Sequence, residues 1–136
     1  MVLATIRLMS SVAPAVAIVD DDAAVCTGVQ RFIRSVGWSA TTYQSGVDFL
    51  ASLDGVMPDC VILDIVMPVM TGPQVLAKMR AKGFDLPVVF ISAEERLDLD
   101  SLEPSARARV AFLHKPFDGD QLVGLINAAL GLPAAS

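Results

Sequence analysis

Along nearly the whole chain, short apolar runs alternate with stretches in which apolar residues recur every three or four positions. The runs 15–20 (AVAIVD), 38–44 (WSATTYQ), 60–64 (CVILD), 86–92 (LPVVFIS) and 110–114 (VAFLH) have strand length and predict five strands. After the first run, Val25, Val29, Phe32, Ile33 and Val36 keep helical spacing until Gly37 stops it. Ser45 with Asp48 opens a short helix whose expected inner face is Val47, Phe49, Leu50 and Leu53. Thr71 with Gln74 reads as a capping box before Val75, Leu76 and Met79, with Gly83 closing that helix. Asp118 with Gln121 starts a last helix carrying Leu122, Leu125, Ile126 and Leu130.

Strands that alternate with helices imply βαβ units, hence a parallel sheet with right-handed crossovers. Five such units predict an α/β, doubly wound, flavodoxin-like sheet of order 2-1-3-4-5, with ligands at the carboxyl ends of its strands. The segment 94–109 (EERLDLDSLEPSARAR) breaks the pattern, because Pro104 would interrupt a helix there and no glycine closes one. An irregular or shortened fourth helix is expected. Residues 1–14 are expected to be an N-terminal tail, 15–131 the domain, and 132–136 a tail or the start of a linker.

Composition narrows the classes. A hydrophobic share of 54% and a mean hydropathy of +0.58 suit strands covered on both faces. No apolar run approaches the ~18 residues that a membrane span requires. Residues 1–14 lack the charged start and small-residue cleavage site of a secretion signal, so a cytoplasmic protein is expected. A net charge of −5 argues against direct contact with nucleic acid, which needs a basic face. Cys26 and Cys60 form no metal or redox pair motif and read as two reduced thiols.

The polar residues then fall in a telling place. Asp20, Asp21 and Asp22 end the first run, Asp64 the third and Ser92 the fourth, while Lys115 follows the fifth. In the expected sheet these ends share one edge. Two unit charges ~5 Å apart repel by roughly 3 kcal/mol at an effective dielectric of 20, so the acids call for a cation. Hard oxygen ligands with room for water favour Mg²⁺. Mg²⁺ and Lys115 would balance Asp20, Asp21 and Asp64 and could hold a phosphoryl group arriving at Asp64. Asp22 is expected at the start of the first helix instead. His114, the single histidine, is expected to be solvated.

The motifs IVDDD (18–22), LDIVMPVMTG (63–72), ISA (91–93) and FLHKPF (112–117) together resemble a bacterial response regulator receiver domain, the phosphoacceptor module of two-component signalling. The resemblance implies that Asp64 is the phosphoacceptor, that Asp20, Asp21 and Asp64 bind Mg²⁺, and that the Val66 backbone carbonyl is a further ligand. It implies that Ser92 and Lys115 hold the phosphoryl oxygens and that Phe112, with Ser92, is the switch. A cis Lys115–Pro116 bond and a loop shaped by Pro68 and Gly72 follow from it too. The implied partners are a histidine kinase or a histidine phosphotransfer protein, then an output protein or effector domain, with a homodimer open. The chain would catalyse only its own phosphorylation and dephosphorylation.

Where the family commonly carries a Gly-Ala pair before the fifth strand, Arg109 and Val110 stand here. Val66 and Glu94 flank the site at positions suited to tuning phosphate lifetime. Two other functions compete with a stand-alone receiver. One is the N-terminal receiver of a two-domain DNA-binding transcription regulator, for which GLPAAS would start the linker; a reading frame continuing past Ser136 would favour it. The other is a Mg²⁺-dependent phosphohydrolase with an aspartyl nucleophile, which usually needs an acid two residues after the nucleophile, where Val66 stands.

Overall fold

The structure is a computed structural model and describes residues 13–93, 104 and 108–131. In chain order the elements are β1 (Ala15–Val19), α1 (Ala23–Ser35), β2 (Ser39–Tyr43), α2 (Gly46–Ser52), β3 (Cys60–Asp64), α3 (Gly72–Ala81), β4 (Val88–Ser92), β5 (Val110–His114) and α4 (Gly119–Leu130). The strands form one parallel sheet of order β2-β1-β3-β4-β5, as the pattern predicted.

β1, β3 and β4 sit in the interior of the sheet, and their alternating side chains feed two cores. Val16, Ile18, Cys60, Ile62, Val89 and Ile91 meet α1 and α4 on one face. Ala17, Val19, Val61, Leu63, Val88 and Phe90 meet α2 and α3 on the other. Burial of each large side chain contributes about 1.5–3 kcal/mol, so these central strands hold the frame on which the loops stand.

Register fixes where the strands end. Val19 lies level with Leu63 and with Tyr43, Asp64 with Ile91, and Ser92 with His114. Asp20, Asp64, Ser92 and Lys115 therefore leave the sheet on one edge.

The expected caps are present. Asp22 caps α1, Ser45 accepts from the Asp48 N–H at α2, and Thr71–Gln74 and Asp118–Gln121 form full capping boxes at α3 and α4. Gly37, Gly83 and Gly131 follow helix ends with positive φ.

Some expectations need correction. Val47 faces solvent rather than the inner face of α2, where Phe49 and Leu50 are buried. The fourth strand begins at Val88, not Leu86. Pro87 has no N–H to give, although its carbonyl accepts from the Val61 N–H at 3.0 Å. The second strand omits Trp38, whose N–H bonds to the Ile33 carbonyl at the end of α1, and Gln44, which leads into the Ser45 cap. The irregular helix expected in 94–109 falls largely outside the described residues, as do the tails 1–12 and 132–136. Among the described residues, no helix is long and apolar enough to cross a membrane.

Candidate functional site

Asp20 is fully buried, one residue past β1. An unpaired carboxylate there would cost several kcal/mol, so its partners decide whether it is tolerable. Oδ1 accepts from the Asp22 N–H at 2.9 Å, and Oδ2 from the Lys115 ammonium at 3.2 Å. Its N–H reaches the Tyr43 carbonyl, and its own carbonyl accepts from the Cys26 thiol at 3.2 Å. Every polar group of this residue is thus occupied. Asp22 turns away to cap α1, accepting from the Ala24 and Val25 N–H groups, and its charge favours the helix start as expected.

Asp64, the last residue of β3, is 7% exposed and lies 3.5 Å from Lys115 Nζ. Burial, then the neighbouring charge of Asp20, pushes its carboxyl up to about 6 against the pull of Lys115. Burial alone would lower the Lys115 ammonium, but the carboxylates of Asp20 and Asp64 overcome it and hold it above its ordinary value. The exposed Asp21 completes the group, and one carboxylate oxygen from each of Asp20, Asp21 and Asp64 lies within 4.8 Å of the others. Among the described residues, three hard oxygen donors against one ammonium leave a surplus of negative charge beside solvent. That donor set fits a small divalent cation that keeps several waters.

The remaining residues singled out in the sequence fall around this cluster. Ser92 is buried at the end of β4, and its carbonyl accepts from the Lys115 N–H at 2.7 Å, which ties the two strand ends together. The Lys115–Pro116 bond is cis. Val66 lies exposed on the loop after Asp64, and Phe112 is half-buried against the core formed with α2 and α3. His114 and Gln44 are exposed. Glu94 lies outside the described residues.

Gly72 calls for a correction of its cause. A Cβ there would come within 2.3 Å of the Asp64 carbonyl oxygen and 3.0 Å of Ile65 Cα. Close approach of α3 to the Asp64 backbone, rather than an unusual backbone shape, excludes a side chain.

Two features escaped the sequence reading. The thiol of Cys26 reaches back to Asp20 from one turn inside α1; its place six residues after Asp20 was the available signal. Burial, then Asp20, raises this thiol and keeps it protonated as a donor. Cys60 sits at the opposite end of β3, where burial pushes its thiol up to about 12. Val69 adopts a φ of 70° in a three-residue turn closed by the Met70 N–H on the Pro68 carbonyl at 2.7 Å. Nothing in its residue type announces that conformation.

Comparison with known proteins agrees with this geometry. The profile of the response regulator receiver domain matches residues 16–127. The chain belongs to the response regulator receiver family. The receiver is 34% identical over 127 residues to the response regulator protein TodT of Pseudomonas putida, an alignment covering 93% of this chain and 56% of TodT. It is 30% identical over 113 residues to the transcriptional regulatory protein FixJ of Bradyrhizobium diazoefficiens, covering 83% of this chain and 55% of FixJ. Its structure resembles the crystal structure of a response regulator receiver protein from Burkholderia phymatum, with a TM-score of 0.75 and 39% identity over 90% of this chain and 99% of the other. The chain spans about half the length of TodT and FixJ.

Proposed function

We propose that this receiver takes a phosphoryl group from the phosphohistidine of a histidine kinase or histidine phosphotransfer protein onto Asp64, and signals through the resulting change at its surface. The reading rests on one observation above the others: Asp20, Asp21 and Asp64 converge, and among the described residues Lys115 is the one cation paired with the cluster. A structural network would match its charges, and this one does not.

In this reading an Asp64 carboxylate oxygen attacks phosphorus, the P–N bond breaks, and the imidazole of the donor leaves. A carboxyl held at about 6 remains ionised at neutral pH, so the nucleophile is ready. Lys115 pairs with one phosphoryl oxygen, and the Ser92 hydroxyl donates to another. Asp20, Asp21 and Asp64, with the Val66 carbonyl, would hold Mg²⁺, which supplies charge to offset the phosphoryl oxygens. Phe112, on the strand that Ser92 and Lys115 tie together, would report the change on the β5 side. Residues 15–131 would constitute this unit, acting in the cytoplasm.

A second reading draws support from the length of the relatives. FixJ, and the DNA-binding transcriptional regulator NtrC of Klebsiella pneumoniae, of which this chain covers 24%, are transcription regulators by name. This receiver would then regulate an effector domain in the same polypeptide. A reading frame that runs on into a helix-turn-helix pattern would select that version.

The chemistry has a direct test. Incubation with acetyl phosphate and Mg²⁺ should add one phosphate by intact mass, and EDTA or Asp64→Asn should abolish it. Equal labelling of the Asp64→Asn protein would overturn the assignment.

A further inference from the structure

Lys115 must stand between two carboxylates, yet it lies on a connection rather than on a strand. One end of that connection is fixed, since the Lys115 N–H donates to the Ser92 carbonyl at 2.7 Å. The other end is Gly119, the first residue of α4, which presses on the Phe32 ring of α1. A Cβ at Gly119 would come within 2.4, 2.5 and 2.7 Å of three Phe32 ring atoms. No carbon approaches another that closely without displacement, so ring and backbone are in full contact with no clearance.

Between the Lys115–Phe117 segment and α1 lies a cavity of about 360 Å³, bounded by Val25, Gly28 and Phe32 on the α1 side. On that flank the Phe32–Gly119 contact is the tightest approach between the segment and α1, beside the looser packing of Phe117 and Leu122. Any displacement at Gly119 travels toward the lysine, because the Asp118–Gln121 capping box makes the start of α4 rigid.

We propose that Phe32 and Gly119 are positioning residues for Lys115: the ring seated on the glycine backbone sets how far the 115–119 segment stands from α1. The distances of Nζ to Asp20 (3.2 Å) and Asp64 (3.5 Å) follow from that setting. This rests on the reading of Lys115 as the group that pairs with the phosphoryl oxygens.

Gly119→Ala is the test, with Phe32→Leu added to make room for the new methyl. The rate of labelling by acetyl phosphate with Mg²⁺ should fall about tenfold in Gly119→Ala, since misplacement of a catalytic group by ~1 Å costs one to two orders of magnitude. Mg²⁺ affinity should stay within twofold of the parent, because the three acids are untouched. The double variant Phe32→Leu/Gly119→Ala should recover to within about twofold of the parent rate. Wild-type labelling by Gly119→Ala would mean that the ring simply swings into the cavity, and would overturn the proposal. So would a double variant as slow as the single one. In the metal-free protein, the Lys115 ε-methylene resonance should shift in Gly119→Ala and return in the double variant. Failure of the parent to label would instead strike at the assigned chemistry, while that resonance still decides the positioning.

Discussion

The two edges of the sheet handle charge in opposite ways. At the edge where the strands begin, Asp59 accepts from the Ala15 N–H at 2.8 Å, and Arg80 of α3 donates to the Phe84 and Ala108 carbonyls at 2.9 Å each. Arg109 donates to the Asp85 carbonyl at 2.8 Å and pairs with the Asp85 carboxylate at 3.6 Å. Asp59, Arg80 and Arg109 each bond a backbone group there. At the edge where the strands end, Asp20 and Asp64 share Lys115 with Asp21 close by, and among the described residues anion is left over. An edge with matched charges holds a fold. One with a surplus of acids works against it.

That contrast should be clearest in stability against pH. The Asp64 carboxyl titrates at about 6 in the folded chain against 3.8 for a free side chain. The folded state therefore holds this proton more tightly than the unfolded state does. Its contribution to stability is present below pH 4 and is lost as pH rises through 6, reaching about 3 kcal/mol by pH 7. Urea unfolding of the EDTA-treated protein should thus find Asp64→Asn close to the parent at pH 4 and more stable by about 2–3 kcal/mol at pH 7. A difference that does not grow with pH would show that neither burial nor the charge of Asp20 is felt at Asp64.

At the opposite edge, Arg80→Met should lower stability. It removes two hydrogen bonds from a charged donor, one part-buried to Phe84 and one exposed to Ala108, a loss of about 1–2 kcal/mol. Acetyl phosphate labelling should stay within twofold of the parent, since no residue of the acidic cluster touches Arg80. If labelling fell with stability, the two edges would be coupled and the division drawn between them would be wrong.

The sequence made the matched and unmatched edges legible to different degrees. β3 and β5 were readable to the residue, because CVILD follows Pro58 and Asp59, VAFLH precedes Lys115 and Pro116, and both are apolar almost throughout. The capping boxes at Thr71 and Asp118 were readable because they are local, a side chain answering a backbone group three residues on. Convergence of Asp20, Asp64, Ser92 and Lys115 followed from strand order, and the receiver motifs then gave each acid a role to test. What the sequence hid depends on contacts between distant segments. Arg80 on the Ala108 carbonyl spans 28 residues, and Phe32 on Gly119 joins α1 to α4. The complete burial of Asp20 was hidden too, since its tolerance rests on donors from Asp22, Cys26 and Lys115 together. Val47 was misplaced because a seven-residue helix is too short for periodicity to settle which side faces inward.

Among the described residues, each edge also carries one non-glycine residue with positive φ, and these give the finest version of the comparison. Val69, near the acids, has φ 70°, and Arg109, at the far edge, has φ 58°. A left-handed backbone costs an L residue about 1–2 kcal/mol. Arg109 recovers part of that cost, since its side chain holds Asp85 and its carbonyl accepts from the Val88 N–H at 2.9 Å. Val69 recovers nothing through its side chain, which is 97% exposed. Val69→Gly should therefore raise stability by about 1 kcal/mol, the strain removed exceeding the extra freedom glycine has when unfolded. Arg109→Gly should change it by less than about 0.5 kcal/mol, because relief of the same strain is offset by loss of the Asp85 contacts. Urea unfolding of the two variants at pH 7 with EDTA measures both. If Arg109→Gly stabilised as much as Val69→Gly, the contacts of Arg109 would contribute nothing, and the far edge would be held by Arg80 and Asp59 alone.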